Sequence, residues 1–364
     1  MNKISKIGLS ALCGSLASIA AANAGALDVT GTAETTWTSK SGVVGNPIGM
    51  KTGLTFTGNG ELDGGQTFAV TITHANKATW SSSNIALTTN SLGTFTLNSG
   101  GGGAGIGGFD DNQPRAWEEV WDTGVTTNAN LQKGVSGSMN IAWASPTVAG
   151  TTLNVAYAPD NDGTQNNNKG VSGSASDYYG AGWDVVLEAK PSWDTGGFHL
   201  ILGASETEIE VDKDLGVGKS IGGDHQEAVV GLGITIGPVE LGYQISGERL
   251  RTQSTNTPQY YGNDSWGVAF NVNDHLSASY SRARHLQTKT HKASHTKSGA
   301  TSNANINFNE YTPKSWMRGD SIQVSYTVGG ASVKYAQTEY DNTAYGFDAK
   351  TKAEARIVAV SLAF

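Results

Sequence analysis

Residues 230–245 have the sequence VGLGITIGPVELGYQI, and they contain the pattern that recurs along most of the chain. Apolar residues occupy positions 230, 232, 234 and 236, and after Gly237-Pro238 they occupy positions 239, 241, 243 and 245. A period of two is typical of a β-strand with one apolar and one polar face. A Gly-Pro pair between two such runs predicts a turn. The stretch is therefore predicted to form a β-hairpin.

The same alternation begins at Leu27–Thr38 and continues to the end of the chain, and it predicts sixteen strands. The predicted connections alternate between seven tight turns and eight longer loops. An even-numbered antiparallel transmembrane barrel with short turns at one rim and long loops at the other has this asymmetry. The sequence therefore predicts an all-β fold, a transmembrane antiparallel β-barrel of sixteen strands, and a single domain over residues 25–364.

The polar face of the predicted strands is rich in Thr, Ser, Asn, Gln and Gly, and only 37% of the whole chain is hydrophobic. Such a face cannot fill a dry core, but it can line water. Sixteen strands close into a barrel wide enough for an aqueous channel. The apolar face would then meet lipid, and closure would leave no strand edge unpaired in hydrocarbon.

The first residues are typical of a secretory signal peptide: Lys3 and Lys6, a short apolar stretch, and Ala22-Asn23-Ala24 as an A-x-A cleavage site. We predict that residues 1–24 are removed; a cut after Ala26 also fits. Cys13, the only cysteine of the chain, lies in this leader. The remainder would have no disulfide and no thiolate chemistry. It also lacks an apolar run long enough for a transmembrane helix.

The charge of the chain argues against a nucleic-acid partner. Without Lys3 and Lys6, 22 Lys and Arg residues face 32 Asp and Glu residues, whereas nucleic-acid binding requires a basic face. No nucleophile with a matching base can be singled out, so we predict that the protein is not an enzyme. The glycine run at 100–108 does not end in Lys-Ser/Thr, which argues against a phosphate loop.

One long insertion, Gly100–Val135, breaks the strand pattern. It opens with glycines, and Pro114–Asp122 could form one or two helical turns. We predict that the insertion folds into the barrel and narrows the pore. Its carboxylates would favour cations, as rings of carboxylates do in other pores. The predicted constriction residues are the five acids and an arginine: Asp110, Asp111, Glu118, Glu119, Asp122 and Arg115. In the alternative interpretation, some of the acids pair with Arg115 or face solvent.

Basic residues on the predicted polar face are few. Lys51 is the preferred counterpart of the acidic insertion, and Lys77 is a second candidate on the early strands. Lys334 lies on a strand beside the predicted barrel closure. It is predicted to belong to the basic pore wall, and it could contact the lumen without reaching the constriction.

Two loops contain residues that could bind metal. Asp160-Asn161-Asp162-Gly163 resembles the opening of a calcium loop, but the downstream Glu is missing at its spacing. Asp160 and Asp162 are therefore a weak calcium candidate, and we expect no other cofactor. A predicted loop at 285–316 contains His285, His291 and His295. Because its glycine and serine content disfavours a helix, we interpret it as a solvated loop rather than a metal site.

The last strand, Arg356-Ile-Val-Ala-Val-Ser-Leu-Ala-Phe364, ends on an aromatic residue preceded by alternating apolar residues. It resembles the C-terminal assembly signal of Gram-negative outer-membrane barrels. Together with the leader, the strand count and the position of the insertion, it makes residues 25–364 similar to the sixteen-stranded general diffusion porins, particularly their alphaproteobacterial members.

This resemblance implies an outer-membrane location, with Phe364 recognised by the barrel-assembly machinery. It also implies contact with outer-membrane lipids, a homotrimer, passive diffusion of small hydrophilic solutes and ions, and a third loop that forms the constriction. Two features depart from the family. The wall facing the loop lacks an arginine cluster, which puts a strong transverse field in doubt. The second loop, Thr79–Ser83, is short, which weakens the expectation of a trimer.

Two other functions remain open at this stage. A substrate-selective porin for sugars or peptides would use aromatic residues such as Trp117 and Trp121 in the insertion. A secreted β adhesin rich in Gly, Thr and Asn would instead show a fixed repeat, and the sequence shows none.

Overall fold

The computed structural model describes residues 26–62, 64–76, 81–99, 105–163, 179–194, 196–209, 224–250, 258–289, 314–346 and 351–364. These residues form one sheet of seventeen antiparallel strands. The strands are β1 Leu27–Lys40, β2 Ile48–Glu61, β3 Thr67–Ala75, β4 Ser82–Thr88, β5 Thr94–Ser99, β6 Asn140–Ala144, β7 Thr151–Ala158, β8 Tyr179–Ala189, β9 Ser192–Trp193, β10 Gly196–Ile209, β11 His225–Ile236, β12 Val239–Arg249, β13 Pro258–Asn271, β14 Leu276–Lys289, β15 Lys314–Val328, β16 Ala331–Asp341 and β17 Lys352–Ala363. A short 3-10 helix, Gly105–Phe109, lies between β5 and β6. Among the residues just given, no helix is both long and apolar enough to cross a membrane.

The sheet closes on itself because β1 pairs with both β2 and β17. The closure ends on Phe364, whose carbonyl accepts a hydrogen bond from the Gly31 N–H at 2.7 Å, while its own N–H donates to the Gly31 carbonyl at 3.0 Å. The two-residue β9 pairs only with the start of β10, beyond the end of β8. Sixteen strands therefore form the wall, and the predicted barrel is confirmed.

The two faces of the wall follow the predicted alternation. In the hairpin of β11 and β12, Leu232, Ile234 and Tyr243 are exposed on the outer face, while Val229 and Gln244 are buried on the inner face. The outer face of this hairpin is apolar, as a lipid-facing wall requires. The outer face of β13, β14 and β15 also carries the ion pairs Arg284–Asp264 and Arg282–Asp320. Many Ser, Thr, Asn and Gln side chains of the inner face are buried, so they are covered by other groups inside the barrel.

The connections also follow the prediction. Short turns join β2 to β3, β4 to β5, β6 to β7, β8 to β10, β11 to β12, β13 to β14 and β15 to β16, and the longer connections lie at the other rim. Several of the longer loops fall partly or wholly outside the described residues. Residues 1–24 also lie outside them, so the signal peptide and its cleavage site remain a prediction.

One loop boundary was predicted wrongly. β14 continues to Lys289, so His285 belongs to a strand rather than to a solvated loop. Its side chain is fully buried, with one ring nitrogen 2.7 Å from the Asn263 side-chain oxygen and the other 3.1 Å from the Tyr340 hydroxyl. Because Asn263 and Tyr340 satisfy both nitrogens, the strand can carry a buried histidine here. His291 and His295 lie outside the described residues.

The assignment of the two faces predicts different effects for a charge placed on each. Leu232→Arg puts a cation on the lipid face and should lower the free energy of unfolding by about 2–4 kcal/mol. Thr235→Arg, on the inner face of the same strand, should cost much less because the guanidinium can remain in water. Urea unfolding in lipid vesicles measures both. Equal costs would show that the assigned faces are wrong.

Candidate functional site

The insertion between β5 and β6 is fastened at both ends by one carboxylate of the wall. Asp184 on β8 accepts hydrogen bonds from the N–H of Ile106 at 3.0 Å and of Val135 at 3.2 Å. Gly105 and Gly134 have positive φ angles of 58° and 54°, a conformation that glycine adopts at little cost. A Cβ at either glycine would collide with Asp184. These glycines therefore let the two arms of the insertion meet at Asp184.

The middle of the insertion is fastened to the inner face of β14 and β15. The Gln323 side-chain oxygen accepts hydrogen bonds from the N–H of Trp117 at 2.9 Å and of Glu118 at 3.1 Å, and its amide nitrogen donates to the Glu118 carbonyl at 2.6 Å. Ser279 accepts a hydrogen bond from the Ala116 N–H at 2.9 Å. At residues 116–118 the backbone is bonded to the wall, and no helix forms over Pro114–Asp122. A single turn follows, in which the Asp122 N–H donates to the Glu119 carbonyl at 3.0 Å.

Further contacts carry the insertion around the inner wall. On β12, Gln244 accepts a hydrogen bond from the Asn112 N–H at 3.1 Å and donates to the Asp110 carbonyl at 2.9 Å. The Thr123 hydroxyl contacts that of Thr338 on β16.

At the closure strand β1, the Lys40 ammonium donates to the Thr126 hydroxyl at 2.9 Å. The insertion thus contacts the inner face from β8 through β12, β14, β15 and β16 to β1.

Arg115 lies among the acids of the insertion and pairs with two of them. Its guanidinium is 2.8 Å from the Asp111 carboxylate and also contacts Glu119. The alternative interpretation is therefore correct for these two acids. Asp122, by contrast, is exposed.

Burial within the insertion weakens the acidity of three carboxyl groups. Burial, with a smaller contribution from Asp111, raises the pKa of Asp110 to about 6. Burial and then a hydrogen bond with Asp111 raise the pKa of Glu119 to about 8, although Arg115 opposes this shift. Burial also raises the pKa of Glu118, against the attraction of Lys51. The charge of the insertion therefore depends on pH near neutrality.

Two lysines of the wall, Lys334 and Lys51, lie beside Glu34 of the closure strand β1. The Lys334 ammonium is 3.0 Å from a Glu34 carboxylate oxygen and 5.6 Å from the centre of the Trp117 ring. Lys334 therefore reaches the insertion, which extends to the closure strands. Lys51 lies opposite Glu34 in the pairing of β1 and β2. Lys77 lies outside the described residues.

The calcium candidates lie in the loop after β7. Asp160 and Asp162 do not belong to any group of three or more potential metal ligands found among the described residues. Between them, the Asn161 amide donates to the Thr207 hydroxyl at 2.7 Å and to the Gly134 carbonyl at 3.2 Å. The loop is therefore held against the insertion by Asn161, and calcium binding stays a prediction.

The wall residues that fasten the insertion were not predicted from the sequence. They include Asp184, Gln244, Ser279, Gln323, Thr338 and Glu227, whose carboxylate accepts hydrogen bonds from the N–H groups of Lys133 and Gly134. Each lies at an inward position of its strand, and the alternation does predict that. The groups of the insertion that they contact lie many residues away along the chain, and the sequence contains no signal for that pairing.

A comparison with protein families identifies the family of the chain. The model of the Gram-negative porin family matches residues 8–301, more than half of the chain. The chain therefore belongs to the Gram-negative porin family. Its location is the bacterial outer membrane and its general role is that of a diffusion channel, not an enzyme. A comparison with curated protein sequences finds no match.

Solved structures of outer-membrane proteins share the fold. OmpT of Vibrio cholerae is 12% identical, with 95% of this chain and 99% of that chain covered and a TM-score of 0.58. OmpF of Salmonella typhi, in complex with daunomycin, is 13% identical, with 94% and 98% covered and a TM-score of 0.56. The anion-selective porin of Comamonas acidovorans is 12% identical, with 93% and 99% covered and a TM-score of 0.56. At these identities the likeness shows the barrel fold alone.

The role of Asp184 can be tested by limited proteolysis. Asp184→Ala leaves the N–H groups of Ile106 and Val135 without their acceptor, and trypsin should then cut the folded barrel after Lys133 at least several-fold faster. Asp184→Asn keeps an acceptor oxygen and should resemble the wild type. Glu188→Gln, on the same face of β8 but paired with His199 and Lys190, is the matched control. Equal cleavage of Asp184→Ala and the control would contradict the anchoring role.

Proposed function

We propose that this porin passes small hydrophilic solutes and ions through a constriction made by residues 105–139, and that the constriction prefers cations. The observation that carries the proposal is the set of side-chain bonds from β8, β12, β14, β15 and β16 to the insertion. A segment held on the inner face of so many strands narrows the space that water can fill.

The balance of charge supports the preference for cations. The insertion contains five acids, Asp110, Asp111, Glu118, Glu119 and Asp122, against two basic residues, Arg115 and Lys133. Of the nearby wall lysines, Lys334 is paired with Glu34. Carboxylates in a narrow, water-filled passage raise the local concentration of cations.

The selectivity can be measured with refolded residues 25–364 in a planar bilayer under a KCl gradient. The wild type should show large, stable conductance steps and a reversal potential on the cation side. Asp122→Asn should move the reversal potential towards zero because it removes an exposed charge of the insertion. Glu240→Gln is the control, since Glu240 faces inward near the opposite rim. Its carboxylate accepts a hydrogen bond from the Asn271 side-chain amide at 3.0 Å. A reversal potential unchanged by Asp122→Asn, or an anion preference in the wild type, would refute the acidic constriction.

The raised pKa values predict that selectivity depends on pH. An acid with a raised pKa is neutral below that value and negative above it. Cation preference should therefore rise as the pH passes about 6, when Asp110 ionises, and again near 8, when Glu119 ionises. Reversal potentials between pH 5 and 9 test this prediction. Glu119→Gln should remove the upper step and keep the lower one; persistence of both steps would contradict the assignment.

A selective channel for sugars or peptides is the second candidate. Trp117 lies in the insertion with Lys334 over its ring, and an aromatic ring beside a cation can hold a sugar face or a peptide carboxylate. Such a channel would show small conductance steps that one solute blocks, whereas a general porin would not.

Four further properties are proposals. A homotrimer is supported by the resemblance to porins and by OmpT of Vibrio cholerae, which has a trimer form. Recognition of Phe364 by the assembly machinery, removal of residues 1–24 and calcium binding at Asp160 and Asp162 rest on the sequence.

A further inference from the structure

Three side chains that could bind a metal ion meet on the inner face of β11 and β12. Glu227 and Glu248 lie opposite each other in the pairing of these strands, and His225 lies two residues before Glu227 on the same face. The His225 Nε2 atom is 3.0 Å from Glu248 Oε1 and 3.7 Å from Glu227 Oε1. One ligand atom from each of the three residues lies within 4.8 Å of the others.

The insertion orients both carboxylates. The N–H groups of Lys133 and Gly134 donate to Glu227, and the Asn130 side chain donates to Glu248 Oε2. The side chains of Glu227 and Glu248 are only 3% and 10% exposed. Each carboxylate is thus bonded to the insertion and also presents Oε1 towards His225. Such outer hydrogen bonds hold the ligands of metal sites in place.

The imidazole is directed into the gap between the two carboxylates. Its Nε2 atom is buried and lacks the geometry of a hydrogen bond to either of them. Two buried carboxylates side by side repel each other, and a proton or a cation held between them relieves that repulsion. Ligands about 2.0–2.1 Å from a tetrahedral zinc ion lie about 3.4 Å apart, close to the 3.7 and 3.0 Å that separate the His225 Nε2 atom from the two carboxylates.

We propose that His225, Glu227 and Glu248 form a binding site for a divalent transition-metal cation, with Zn²⁺ as the representative ion. One nitrogen and two carboxylate oxygens are ligands typical of zinc, and three protein ligands leave a fourth position for water. Because the same carboxylates bind residues 130, 133 and 134, the ion fastens the C-terminal arm of the insertion to the wall. The site shares no residue with the acids of the constriction. Zn²⁺ binding can therefore be tested independently of the ion selectivity of the channel.

The test is calorimetric titration of ZnCl₂ into refolded residues 25–364 in detergent free of chelators. The wild type should bind one Zn²⁺ per chain, and His225→Gln should weaken binding by more than about tenfold, since even outer-shell changes cost 10–100-fold. His199→Gln is the matched control, because His199 also faces inward but meets a single carboxylate, that of Glu188, at 2.9 Å. It should bind as the wild type does.

A second readout reports the fastening of the insertion. Hydrogen exchange at residues 130–135 should slow when Zn²⁺ is added to the wild type or to His199→Gln, and should not change in His225→Gln. Unboiled gels establish that each variant is folded.

Three results would overturn the proposal. One is a folded wild type that binds no Zn²⁺, and another is an unchanged affinity in His225→Gln. The third is equal binding of Mg²⁺, which prefers oxygen ligands and would indicate an unspecific acidic surface.

Discussion

The pairing of β1 with β17 is the constraint on which the rest of the structure depends. In hydrocarbon, a backbone N–H or C=O without a partner costs several kcal/mol, so a sheet can cross the membrane only when it has no free edge. The bonds between Gly31 and Phe364 complete that closure at the end of the chain. Once the sheet is closed, most outward positions are apolar and meet lipid, and most polar side chains of the strands face the interior.

Because the sheet is closed, a long insertion can form hydrogen bonds to the wall mainly at its inner face. The outer face is largely apolar, and on β13, β14 and β15 it carries charged side chains that are paired with one another. The inner face offers carboxylates, amides and hydroxyls, and residues 105–139 are bonded to them through backbone groups. Asp184 satisfies both ends of the insertion, and Gln323 satisfies the middle by accepting two bonds and donating one. In a sheet, a neighbouring strand would bond these backbone groups; here side chains of the wall do so.

The sequence predicts the parts of this structure that depend on a local period. The alternation at 230–245 gives the hairpin, the two faces and, repeated along the chain, the strand number. It also assigns Lys51, Glu34 and Lys334 to the inner face. The insertion is recognisable because it breaks the period and because its glycines permit unusual backbone angles.

Contacts between residues far apart in the chain could not be predicted in this way. Lys334 meets Trp117 because the insertion extends to the closure strands. Nothing in the sequence near either residue indicates that the insertion reaches so far. The pattern predicts a loop at His285, whereas the side chains of Asn263 and Tyr340 across the sheet lie within hydrogen-bond distance of its two ring nitrogens inside the barrel. The meeting of His225, Glu227 and Glu248 requires the register of β11 and β12, which a period alone does not fix.

The central claim is that the insertion lies in the path of the ions. It is tested most directly by one cysteine at the exposed position Asp122, in a chain whose only native cysteine is Cys13 of the predicted leader. We would record the single-channel conductance of Asp122→Cys before and after adding a bulky charged thiol reagent. Leu92→Cys, in a turn at the other rim, is the control. The structure predicts a stepwise fall in conductance for Asp122→Cys alone. An unchanged conductance, with modification confirmed by mass, would contradict it.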